Sequence, residues 1–566
     1  MTRGQGIYWV YGTALIGLGL IIISLGGNIL GSFSDEGQIT DLTLKNYKRL
    51  LGSPEMPGVL GRTIVLGLGT IVTMLLFALP FAWLLSRTDY RWKTALFTVM
   101  AAKLAIPGFI TAMAYVWLAN PTSGIINQLL GMTAYTGEPA LNVYQLKWVF
   151  CLQGLVLVPG AVFMLVPAFR NLDSTLEEAA LVHGVGYSSV FRHVVVPLLA
   201  PGVLAVSVFY FIIGVEMFDF VAIIGVPGDV LVLKIYEALT EVDGLPDYGL
   251  AGASGVLLFA ICSIAIIFYI RFLKESQRFA VMGGKRRRPT LLRLGRWHGV
   301  ATGYLLLWVI LSVGIPAITL VWVALVPYFQ PPSAKALDVI NWNGFIDAFD
   351  YIGEPLTNTF LVMIGAATIA ITFATAITWV VTRSRSPVSK WADTLVFLAP
   401  AVPSIVAATA FQVVGIAVYQ WLPLYGTLWL IIVALGTRML AYCTRTMNSA
   451  SLQIQPELEE AAFVSGVSRW GTFWGVFVPL MAPALFYSAL MVGMLAARDL
   501  TLPLVMSTGG KSLVSVLIFD LQTNGEMNAA AAVALYMIVI LVLLALTARK
   551  LTGMGEPGLD TTSGRT

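Results

Sequence analysis

The chain has 566 residues, 58% of them hydrophobic and only 11% charged, with a formal net charge of +4. A soluble domain carries about 25% charged residues, so an ordinary water-soluble globule is excluded. Three cysteines (Cys151, Cys262 and Cys443) lie in or beside apolar runs without CxxC spacing, which argues against a disulfide framework or a zinc site.

Apolar runs long enough to cross a hydrocarbon core about 30 Å thick recur throughout, so the chain reads as an all-α polytopic membrane protein. The first six expected spans lie near 8–30, 60–85, 96–118, 147–168, 197–217 and 250–272. The other six lie near 300–327, 356–381, 394–418, 423–442, 479–497 and 528–548. The first run has a weak basic start and no clear A-x-A cleavage signal, and is read as a retained span. Residues 273–298 form a basic linker; its Lys285-Arg286-Arg287-Arg288 run reads as a cytoplasmic segment near anionic headgroups, not a nucleic-acid site. Residues 551–566 read as a disordered tail.

Six spans followed by six suggest a parallel duplication, giving two halves at 1–272 and 299–550. Leu60, Thr63, Trp83, Arg87 and Pro107 recur as Leu356, Thr359, Trp379, Arg383 and Pro403, each 296 residues later. Beyond the third span the separation falls to 282, so the first half carries 14 extra residues within 119–148. Basic short loops (87–93, 271–298, 383–390 and 548–550) are assigned to the cytoplasm, which puts both termini there.

Two polar islands stand out, 174–201 and 455–483. Glu178, Ala179, Ala180, Gly184, Pro197 and Pro201 recur without a gap as Glu460, Ala461, Ala462, Gly466, Pro479 and Pro483. Before each glycine the residues suit a short amphipathic helix: Leu176, Ala179 and Ala180 share one face, as do Leu458, Ala461 and Ala462. Asp173, Ser174 or Thr175 can cap the first, and Glu177 and Glu178 suit its N-terminal dipole. Gly184 and Gly466 permit a sharp turn or a close approach. Two such islands on the cytoplasmic side suggest docking to a two-fold partner.

The spacing Glu-Ala-Ala, three residues, Gly, nine residues, Val194-x-Val196-Pro197 (repeated as Val476-x-Val478-Pro479) resembles the EAA loop of type I ABC importer permeases. The resemblance covers nearly the whole chain. It implies two tandem six-helix permease domains moving substrate by alternating access. The islands would be coupling helices whose Glu178, Ala179, Ala180, Gly184 and Pro197, with Glu460, Ala461, Ala462, Gly466 and Pro479, meet two copies of a cytosolic ABC ATPase. An extracytoplasmic substrate-binding protein and the lipid bilayer are the other implied partners; no nucleic acid is. ATP and Mg would sit on the ATPase, with no cofactor on this chain and a location in the bacterial inner membrane. The fused arrangement, with LSRTDYRWK, AIPGFITAMAYVWL and NPTSGIINQLLG, most resembles the ferric-iron importer permeases. Thiamine, polyamine and aminoethylphosphonate importers share that arrangement.

No catalytic constellation is expected. Gly510-Lys511-Ser512 matches only the end of a P-loop, since the first glycine falls at Val505 and no strand-then-helix context surrounds it. Ionisable residues near span ends, Glu216, Asp219, Arg498 and Asp499, are candidates for the translocation path. Glu216 and Arg498 are equivalent at the 282-residue separation, and are expected to form part of an external gate. An ion-coupled secondary transporter is the competing class. It calls for carboxylates in mid-span and no paired cytoplasmic helices, the reverse of what the sequence carries.

Overall fold

The computed structural model describes residues 5–35, 38–170, 172, 182–184, 186–225, 229–240, 246–276, 291–384, 387–399, 402–507 and 512–552. Among these, helices dominate; a short antiparallel hairpin joins Ser34–Asp35 to Gln38–Leu42. Among the described residues, ten helices are long and apolar enough to cross a membrane. They correspond to ten of the twelve expected spans.

The third and ninth expected spans are not continuous helices. Lys93–Ala105 and Gly108–Ala119 meet at a bend of 89°. Proline explains the break: it pushes the preceding residue out of the helical region. Ile106 is extended (ψ 124°) and Pro107 caps the second arm. At the equivalent place Pro403 caps Ser404–Ala417, with Pro387–Leu398 before it.

Proline also accounts for three π-helical turns, Phe191–Val195, Ile310–Gly314 and Phe473–Phe477. Each lies just before a proline: Pro197, Pro316 and Pro479. A proline inside a helix lacks an N–H and clashes with the carbonyl four residues back. Those carbonyls belong to His193, Ser312 and Gly475, each inside its π turn, where the ladder has widened.

The chain forms two compact units. One comprises residues 54–233 and 258–342. Its centre is the pair Met56–Arg87 and Leu146–Arg170, packed so closely that a Cβ on Gly154 would lie 2.6 Å from Thr73 Cβ. In membranes such small residues take the place of hydrophobic driving force by letting backbones approach. The helical segment Trp297–Leu325 completes this unit. Trp308 Nε1 donates to Leu155 O at 3.3 Å, Tyr304 OH donates to Leu76 O at 2.6 Å, and Tyr304 stacks on Phe77.

The other unit comprises residues 1–53, 234–257 and 343–566. Gln5–Ser32 lies against Asn343–Arg383 and Ser404–Ala417: Tyr11 meets Trp379 edge-on, and Asn28 Oδ1 accepts from Thr409 at 3.0 Å. The first helix of each sequence half therefore packs with the body of the other half. Sequence halves 1–272 and 299–550 describe the repeat, and packing divides the chain differently.

The end of the expected linker is fastened to the short loop after Met56–Arg87. Leu292 N donates to Arg87 O at 2.9 Å and Asp89 N donates to Leu292 O at 3.0 Å. Helix begins at Trp297, inside the expected linker range. The Lys285–Arg288 run and the tail 553–566 lie outside the described residues.

Candidate functional site

The second polar island is described throughout. After Leu428–Ser451 ends, Pro456 opens an eight-residue helix, Glu457–Val464, with Glu457, Glu459 and Glu460 in its first turn, where the dipole favours them. It ends at Gly466, whose φ is 82°. Gly466 N donates to Phe463 O and Val467 N to Ala462 O, both at 3.0 Å. That hydrogen-bond pair is a Schellman stop, which needs a residue tolerant of positive φ. Ser468 then caps the next short helix, its Oγ accepting from Gly471 N at 3.1 Å. Trp470, Phe473 and Phe477 stack successively behind it.

The side chains are arranged opposite to an ordinary surface helix. Leu458 and Phe463 are exposed, and Val464 is 90% exposed, while Glu459 is 5% exposed. Of the expected contact residues, Glu460, Ala461, Gly466 and Pro479 are exposed and Ala462 is half-buried. The expected apolar face of Leu458, Ala461 and Ala462 is thus present, but turned outward.

Glu459 is a residue that the Glu-Ala-Ala pattern passes over. Its Oε1 accepts from Arg383 Nε at 2.6 Å. Arg383 Nη2 also donates to Ser451 O at 3.3 Å and Ile454 O at 3.2 Å, carbonyls at and beyond the end of Leu428–Ser451. The sequence held a signal for this pair: Arg383 repeats Arg87, and Glu459 repeats Glu177.

In the first island, Glu178, Ala179 and Ala180 lie outside the described residues. Around them the match continues. Gly184 has φ 80°, and Val182, the counterpart of Val464, is 85% exposed. Pro197 is exposed, as Pro479 is, and the π turns before them are exactly equivalent in position.

The four candidate path residues sit at helix ends. Glu216 is the last residue of Val196–Glu216 and is buried. Asp219 lies half-buried in the first turn of Phe218–Ile224. Arg498 follows the end of Val478–Ala497. Asp499 has a local role: its Oδ1 accepts from Leu502 N at 3.0 Å at the start of Thr501–Met506. Glu216 and Asp219 belong to one unit, Arg498 and Asp499 to the other. The structure adds Lys103, which is 3% exposed and donates to Thr111 Oγ1 at 2.7 Å, across the bend at Pro107. A lone lysine in the apolar run 94–119 was its only sequence signal.

A family model described as the binding-protein-dependent transport system inner membrane component matches residues 74–278 and again residues 368–552. The chain belongs to this family. Each match includes one island, so the duplicated loop and the duplicated family match coincide. The permease is similar to the Fe(3+)-transport system permease protein FbpB 2 of Haemophilus influenzae, with 22% identity over 88% of this chain and 91% of that one. It is also similar to a putative ferric transport system permease protein, FbpB 1, of the same organism, 25% identical over 76% of this chain and 66% of that one. A spermidine/putrescine transport system permease homolog of Mycoplasma genitalium is 24% identical over 46% of this chain and 87% of that one. The permease is a fused, two-repeat, multi-pass inner-membrane protein of the ABC importers. Members of this family work with ATPase subunits and substrate-binding proteins and do not themselves hydrolyse ATP.

Proposed function

We propose that this permease imports ferric iron by alternating access, driven by two ATPase subunits that dock on the islands 174–201 and 455–483. The observation that carries the docking is the outward apolar face of Glu457–Val464. A helix that buries a glutamate while exposing Leu458, Phe463 and Val464 leaves apolar surface for another protein to cover. The exposed Val182 and positive-φ Gly184 support the same role for the first island. In the transport cycle a loaded binding protein docks outside, ATP draws the nucleotide-binding pair together, and the coupling helices rock the permease outward-open. Hydrolysis resets it.

Ferric iron as substrate rests on the names of the two Haemophilus influenzae relatives. The polyamine permease homolog gives a second reading. Purification of the complex with its binding protein, followed by metal analysis and mass spectrometry of the bound ligand, separates the two. A binding protein that holds a polyamine and no iron would replace the first reading with the second.

A further inference from the structure

We infer that Arg383 is a positioning residue for energy coupling, binding the coupling helix rigidly to the transmembrane helices so that they move as one body. The inference rests on the coupling role proposed for residues 455–483. Its starting point is a mechanical difficulty. Isolated helices shorter than about 12–15 residues are marginal in water, and Glu457–Val464 has eight. Its apolar residues face outward, so burial of that face within the permease does not hold it. A helix that merely rested on the membrane surface would absorb the motion of an ATPase by tilting or fraying.

Arg383 supplies the missing attachment. It is the last residue of Asn343–Arg383, the longest helix described, and its guanidinium reaches three other segments. Nε holds Glu459 of the coupling helix at 2.6 Å, and Nη2 holds Ser451 O and Ile454 O at the end of the preceding helix. Its Cζ lies 5.7 Å from the ring centroid of Phe477, in the π turn that leads into the next span. Thr382 Oγ1 and Ser451 Oγ, 2.9 Å apart, add a second link beside it. The chain entering the coupling helix, the helix itself and the chain leaving it are therefore all tied to one side chain.

The chemistry requires arginine. The Arg383 and Glu459 side chains are 11% and 6% exposed, so water scarcely screens the pair. A planar fork with several fixed donors can serve a carboxylate and two carbonyls together, whereas a lysine ammonium is a point charge on a flexible stem. The sequence repeat includes both partners: Arg87, also a final helix residue and 5% exposed, matches Arg383, and Glu177 matches Glu459. Glu177 lies outside the described residues.

The test uses the intact permease–ATPase complex in liposomes with binding protein loaded with ferric iron, and reads iron moved per ATP hydrolysed. Glu459→Gln keeps shape and removes charge; Arg383→Lys keeps charge and removes the fork; Arg383→Met removes both. The ratio is expected to fall by about fivefold or more in Arg383→Met and Glu459→Gln, with Arg383→Lys between these and the wild type. Assembled variants that keep the wild-type ratio, even at reduced abundance, would overturn the inference and leave the pair a purely structural one. If Arg383→Met fails to assemble, the ratio in Glu459→Gln and Arg383→Lys decides in the same way. A wild-type complex that retains no ATPase overturns the coupling reading itself, a separate result.

Discussion

Thr63 and Thr359 make the same pair of hydrogen bonds in the two repeats. Thr63 Oγ1 donates to Val59 O and accepts from Leu231 N at 2.9 Å; Thr359 Oγ1 donates to Pro355 O and accepts from Val514 N at 3.0 Å. In each case the accepted amide is the first of a helix, Leu231–Thr240 or Val514–Thr523, and so has no partner within that helix. Replacement of either threonine by valine keeps the shape and orphans a buried amide. A loss of about 1–3 kcal/mol is expected from each, measured by thermal unfolding of the detergent-purified permease. Unchanged unfolding of both variants would deny the caps any energetic role.

Gly184 and Gly466 offer a cleaner backbone test. A Cβ at either position meets nothing within 4 Å, so Gly→Ala strains only the positive φ. The expected cost is about 1–2 kcal/mol, concentrated in the turn. ATPase retention on affinity purification should fall more than permease abundance does. The two variants need not lose equally, because in the proposed docking HGVGYSSVFRH and SGVSRWGTFWG would offer two ATPase copies different surfaces. Equal losses would show that this difference is idle.

Val182→Glu and Val464→Glu test the docking face. Both valines are exposed, so folding stability should change by no more than about 0.5 kcal/mol. A charge buried under a bound ATPase is costly, however, and each variant should retain much less ATPase. Full retention by both would exclude these valines from the contact.

Glu216 and Arg498 are equivalent at the 282-residue separation, and the sequence expectation of an external gate can be tested by exchanging their charges. Transport should fall in Glu216→Arg and in Arg498→Glu, and recover when the two are combined. Normal iron uptake by both single variants would end the gate proposal.

The extra segment of the first half is an organised loop held by Asn127. Asn127 Nδ2 donates to Asn120 O and Leu141 O, and its Oδ1 accepts from Leu141 N at 2.9 Å. If this loop orients the binding protein, Asn127→Ala should weaken docking while leaving ATP hydrolysis without binding protein unchanged. A titration of binding protein against stimulated ATPase activity reads this directly, and an unaltered titration would count against the loop.

The class of the protein, ten of its spans and the duplicated islands were legible in the sequence because they depend on local or periodic properties. Apolar runs report the membrane, and a gap-free separation of 282 residues reports the repeat. Gly184 and Gly466 were legible for a similar reason: glycine tolerates the positive φ that the turn requires. The breaks at Pro107 and Pro403 were misread as continuous spans because hydropathy does not register a change of direction. Tertiary packing alone decided which first helix joins which body, since Asn28 with Thr409 and Trp308 with Leu155 are contacts between distant parts of the chain. It also decided which glutamate of Glu459-Glu460 is buried. Adjacent residues of one helix look alike in composition, and only the position of the Arg383 guanidinium separates them.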